Sequence, residues 1–139
     1  IGMRLSFFSK QGVPQWEEII SDAEKGVRFW QNTIVRFLLF FAILPIISSL
    51  IVLAFFIRPR ETSIVLHYNV YFGVDVLGAW WQTYLLPLLG LFFFVVHTFL
   101  AAHFYQRTDR VASYLLLLAA GLISAGVLIA SLSVAFINY

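Results

Sequence analysis

At 139 residues, with 61% hydrophobic and 12% charged side chains and a mean hydropathy of +0.90, the chain falls far below the ~25% charged content of ordinary soluble domains. One small water-soluble core cannot hide that much apolar surface, so a multi-span membrane protein is expected. The formal charge of +2 and pI near 9.2 give no case for nucleic acid, because the basic residues flank apolar stretches, where they act as orientation signals. The absence of cysteine excludes disulfides, thiolate metal sites and a cysteine nucleophile.

Residues 1–13 form a short mixed segment whose apolar run is too brief for a secretory signal. Met3 is the only methionine, which leaves Ile1 and Gly2 open to being remnants of a longer upstream sequence. From Pro14 to Asn32 the pattern is helical: Trp16, Ile19, Ile20, Ala23, Val27 and Trp30 recur at spacings of three and four, with Glu17, Glu18, Asp22, Glu24, Lys25 and Arg28 opposite. A tryptophan at each end and a span next to it predict an amphipathic helix lying in the headgroup region, within an N-terminal segment 1–32. Packing on a partner protein is the alternative, and Gly26 is a candidate bend in a helix that could also run on into the span.

The first span, 33–57, carries Arg36 near its start and then 21 residues without a charge, enough to cross a hydrocarbon core of roughly 30 Å. Pro45 should kink it, with Ser48 and Ser49 placed to help satisfy the freed carbonyl. Arg36 can snorkel to the interface.

The loop 58–82 follows. From Ile64 to Val74 the even positions (Ile64, Leu66, Tyr68, Val70, Phe72, Val74) are all apolar or aromatic, a period-two pattern that predicts a strand. One strand needs a hairpin mate, a partner chain or water for its backbone groups. Trp80 and Trp81 mark an interface anchor before the second span, 83–105. A tight turn, 106–110, returns the chain to a third span, 111–137, which has no charge. The fold class expected is an all-α membrane protein: three transmembrane helices, an N-terminal interfacial helix and a short β-like outer loop.

Arg4, Lys10, Lys25, Arg28, Arg36, Arg107 and Arg110 fall on one side of that arrangement, and only Arg58 and Arg60 on the other. The positive-inside rule then puts the N-terminus in the cytoplasm and the loop and C-terminus outside, as in a bacterial inner membrane.

The third span carries small residues at packing spacings: Ser113, Ala120, Ser124 and Ser131 on one stripe, Gly121 and Ala125 beside it. Such patterns let helix backbones approach closely in lipid. They suit self-association into a homo-oligomer or packing against the chain's own first two spans. His97 and His103 lie roughly 120° apart around the second span and cannot share one ion through a common face. His97 is a possible intramembrane polar site; its bland reading is a neutral ring bonded to a neighbouring helix. No metal-ligand or catalytic constellation and no cofactor site is read from the residues.

The loop holds the most distinctive motif: His67, Asn69, Gly73 and Asp75. The spacing His-x-Asn, then Gly, then Asp, between a first and a second span, resembles the extracytoplasmic signature of the SdpI-type bacterial membrane proteins, which include toxin-immunity proteins. The segment LHYNVYFGVD is also similar to stretches in small uncharacterised bacterial multi-span proteins. Val65-Leu66 stand where the SdpI family favours Pro and Thr, and Gly73 and Asp75 are spaced differently. What the resemblance implies is a shaped loop, not a set of catalysts.

The function expected is therefore that of a small accessory or immunity-type protein, not an enzyme, acting by contacts in the lipid bilayer with another membrane protein or with itself. The alternative is an oligomeric transporter or channel with His97 facing the pathway.

Overall fold

The computed structural model of the chain describes residues 28–139. Trp16 and the rest of the expected interfacial helix up to Val27 lie outside the described residues. Within them the chain starts with a one-turn 3-10 helix, Phe29–Gln31, then runs through α1 (Thr33–Phe56), β1 (Ile64–Asn69), β2 (Gly73–Gly78), a second 3-10 helix (Trp80–Tyr84), α2 (Leu85–Gln106) and α3 (Arg110–Asn138). The three long helices coincide with the three expected apolar stretches to within two residues at every end. Each is long and apolar enough to cross a membrane.

Residues 28–32 do not extend α1 backwards as one α-helix. Arg28 and Asn32 both have extended backbone and flank the 3-10 turn, with Trp30 exposed. Asn32 is the reason for the break. Its Oδ1 accepts from the Ile34 and Val35 amides at 2.9 and 3.4 Å, an N-cap for α1. Its Nδ2 donates to the hydroxyls of Tyr105 on α2 and Tyr114 on α3, both at 2.9 Å. One side chain thus ties the three helices together at this end, above a core of Phe29, Val35, Ala101, Tyr105 and Leu117.

α3 is the central helix, packed along both α1 and α2, which touch each other much less. Its small-residue stripe makes this possible. Ser113, Ala120, Gly121, Ser124 and Ser131 are all buried against the other helices, and Ala125 is half-buried. A Cβ at Gly121 would collide with the Phe41 ring, so the glycine makes room for that ring as it lies against α3. Ser49 of α1 and Ser131 of α3 hydrogen-bond to each other inside the bundle, and Ser124 donates to the Ala120 carbonyl at 2.8 Å. Of the two uses expected for the stripe, it is packing within the chain that occupies it. Ser49 is bonded across to α3 rather than to the backbone that Pro45 frees.

The distribution of side chains is inverted relative to a water-soluble protein. Serines lie in the interior, while Phe37, Phe40, Phe55, Phe92, Phe99, Leu122 and Phe136 point outward, a surface that calls for lipid or protein cover.

At the short turn, Thr108 donates its amide to Tyr105 O and Asp109 to Phe104 O, the paired bonds of a Schellman motif. Asp109 then caps α3 by accepting from the Ala112 amide at 3.1 Å. Thr108 sits at φ 65°, in the left-handed region where a β-branched residue is strained. Thr108→Gly should therefore raise stability by about 1 kcal/mol, read as a higher thermal midpoint in detergent; an unchanged or lower midpoint would contradict the strain.

Candidate functional site

β1 leaves α1 through a linker, and its first residue, Ile64, is buried against Leu53 and Ile57, with Leu66, Trp80 and Tyr84 packed around them. The single strand expected over 64–74 is in fact the first half of a hairpin. The alternation continues past Asn69 in the sequence, but the chain turns at 70–72 and pairs with β2, antiparallel, from Ile64↔Gly78 to Asn69↔Gly73. The mate that a lone strand needs is thus supplied by the same loop. The even-numbered face also does not stay inward: Ile64 is buried, Leu66 half-buried, and Tyr68 and Val74 are exposed.

The four motif residues all shape this hairpin. Asn69 Oδ1 accepts from the Tyr71 amide at 2.9 Å, forming an Asx turn. Gly73 closes the turn at φ +77°, where a Cβ would be strained although nothing stands in its way. His67 Nδ1–H donates to Asp75 Oδ1 across the strands at 2.8 Å. The ladder slips out of regular register on both sides of His67, and such irregularities re-aim side chains. With Nδ1 engaged by Asp75, Nε2 is the ring nitrogen left for a further hydrogen bond. Both side chains are substantially exposed, at 62% and 40%, so the pair contributes little to stability. Its effect is to hold His67 in one orientation.

A residue outside the motif fixes the hairpin to the bundle. Asn138, at the end of α3, accepts from the Val65 amide at 2.8 Å and donates to the Val65 carbonyl at 2.6 Å and to its own helix at Val134 O. It behaves as an added strand residue pairing with β1. The sequence signal was a single amide at the end of an otherwise apolar span. Trp80 packs into the Leu53–Ile57–Ile64 cluster and meets Tyr84 edge-on, while Trp81 faces outward. Of the two expected anchors at this mouth, one is half-buried against the core and one is surface.

The hairpin ends in an apolar tip. Val70, Tyr71 and Phe72 are 83%, 90% and 85% exposed. Beneath β1 lies a cleft of about 350 Å³ bordered by His67, Tyr68, Ala130, Ser133 and Val134, and beside it one of about 220 Å³.

His97 is bonded within its own helix, Nδ1–H to the Phe93 carbonyl at 2.8 Å, rather than to a neighbouring one. His103 is exposed beside Phe104, and Arg110 lies over the Tyr105 ring. Among the described residues no group of three or more His, Asp or Glu could hold a metal ion. Thr98 Oγ1 and Ser113 Oγ are buried without a hydrogen-bond partner, and nothing in the packing explains them.

No family model, no curated protein and no solved structure matches the chain. The meaning of the site rests on its own geometry.

Asn138→Ala removes the clamp while leaving the helix backbone intact. Three hydrogen bonds, each worth about 0.5–1.5 kcal/mol net, are lost, so hydrogen exchange at the Val65 amide should accelerate by roughly tenfold or more while the amides of α1 and α2 keep their protection. Unchanged exchange at Val65 would show that packing at Ile64 and Leu66 is sufficient alone.

Proposed function

We propose that the chain is a three-span integral membrane protein of the bacterial inner membrane, with its N-terminus in the cytoplasm and its hairpin and C-terminus outside, and that it works by contact rather than by catalysis. The orientation is supported by the seven basic residues on one side against Arg58 and Arg60 on the other. The observation that carries the functional reading is the tip. Outside the helices, and apart from Tyr139 beyond the end of α3, the most exposed large apolar side chains among the described residues are Val70, Tyr71 and Phe72. They stand on a hairpin whose turn, cross-strand pair and attachment to α3 are each fixed by a specific hydrogen bond.

An apolar aromatic tip on a fixed arm suits recognition of another protein, because little ordering entropy remains to be lost on docking. His67, Asn69, Gly73 and Asp75 act in this reading as the frame of the tip. The likeness to SdpI-type proteins implies such a shaped loop, and the role we assign to it is that of an accessory or immunity-type protein whose partner is another membrane protein or a second copy of this chain. The groups that would line a transport pathway are engaged within the bundle: Ser49 with Ser131, and His97 with its own backbone. The contact reading is therefore preferred to a channel.

Replacing Val70, Tyr71 and Phe72 together by Ser tests the proposal. In mild detergent the native chain should run as a complex heavier than its own 15.9 kDa, and the triple variant should fall to the mass of one chain with unchanged helix content. Equal masses for both would contradict a recognition role for the tip.

A further inference from the structure

The two clefts beneath the hairpin and the outer surface of α2 form one continuous track. The upper cleft, of about 350 Å³, and the lower, of about 220 Å³, share Leu66, Leu86 and Val134. The lower cleft shares Leu85 and Leu89 with an open groove of about 640 Å³ that continues past Phe92 to Val95. From Leu86 to Val95 the track descends about 14 Å at 1.5 Å per residue, close to one leaflet of a hydrocarbon core that is roughly 30 Å thick. Its lower wall is entirely leucine, phenylalanine and valine.

The upper end has a different character, and its polarity has a sign. His67 borders the cleft and is held there by the Asp75 carboxylate through Nδ1, which puts a negative charge beside the cleft mouth and leaves Nε2 for a further hydrogen bond. Ser133 also borders the cleft and donates its own proton to the Ile129 carbonyl at 3.0 Å, so towards a ligand its oxygen acts as an acceptor. A carboxylate and an acceptor oxygen at the head of an apolar track fit a ligand whose head carries N–H donors and a positive charge and whose tail is one leaflet long.

We propose that this track is a binding site for an aminophospholipid of the surrounding leaflet, phosphatidylethanolamine by its chemistry. The ammonium group sits under the hairpin at His67 and Ser133, and one acyl chain lies along Leu86, Leu89 and Phe92. The inference rests on the membrane-spanning reading above. It gives the hairpin a second role, as the roof of a lipid seat, and makes the bound lipid part of the surface on which the tip stands.

Native mass spectrometry of the full chain in detergent, titrated with dioleoyl phosphatidylethanolamine or with dioleoyl phosphatidylcholine, tests it. The two probes share their tails, and only the first has N–H donors. The native chain should retain one ethanolamine lipid, about tenfold more tightly than the choline lipid, as expected for hydrogen bonds to a charged group. Ser133→Ala combined with His67→Leu should remove that preference, and Ala130→Phe, which fills the upper cleft, should weaken retention of both lipids. Equal retention of the two lipids by the native chain would overturn the proposal without any variant having to fold. So would unchanged retention in a folded Ala130→Phe chain. A chain that is monodisperse in plain buffer would instead overturn the membrane-spanning reading itself.

Discussion

A stripe of small side chains on α3 is the constraint on which the rest of the molecule depends. In hydrocarbon, apolar side chains gain nothing by leaving lipid for protein, so helices associate through close packing and shared hydrogen bonds. Gly121 admits the Phe41 ring, Ala120 and Ser124 keep the helix surface low, and Ser131 meets Ser49. α3 can thereby pack along both neighbours while they hardly meet each other. The bulky residues are left to face outward, and the inversion of the usual hydrophobic order follows.

Two asparagines complete what the stripe begins. Asn32 caps α1 and reaches tyrosines on α2 and α3 at one end of the bundle; Asn138 extends α3 into the backbone of β1 at the other. Each acts where a helix ends and unsatisfied backbone groups accumulate. A two-stranded hairpin is marginal by itself. Here its first strand borrows order from α3 through Asn138 and from the core through Ile64. The result is a fixed arm, with an apolar tip at one extreme and a roofed cleft below.

The three long apolar helices were legible in the sequence because a run of about 20 apolar residues has few alternative meanings. The stripe on the third span was legible as packing, but not as packing within the chain, since Ser113-to-Ser131 spacing is the same whichever helix it faces. The hairpin was half legible. Its alternation ran through the turn because Val70 and Phe72 keep the even-numbered apolar pattern, and only Asn69 and Gly73 marked the reversal. His97 showed as a polar residue in a span, yet a ring that bonds its own helix has the same sequence signature as one that faces a neighbour. Asn32 and Asn138 were missed as organising residues, because a single amide at a span end has no periodicity to reveal what it will reach.

The Ser49 and Ser131 faces meet inside one chain. The protein has no native cysteine, so a Ser49→Cys/Ser131→Cys pair reports on this directly when oxidised in native membranes. The account predicts a disulfide within single chains, seen as a faster-migrating monomer that reverts on reduction. Disulfide-linked dimers in its place would mean that the stripe joins two copies instead, and would contradict the bundle described above.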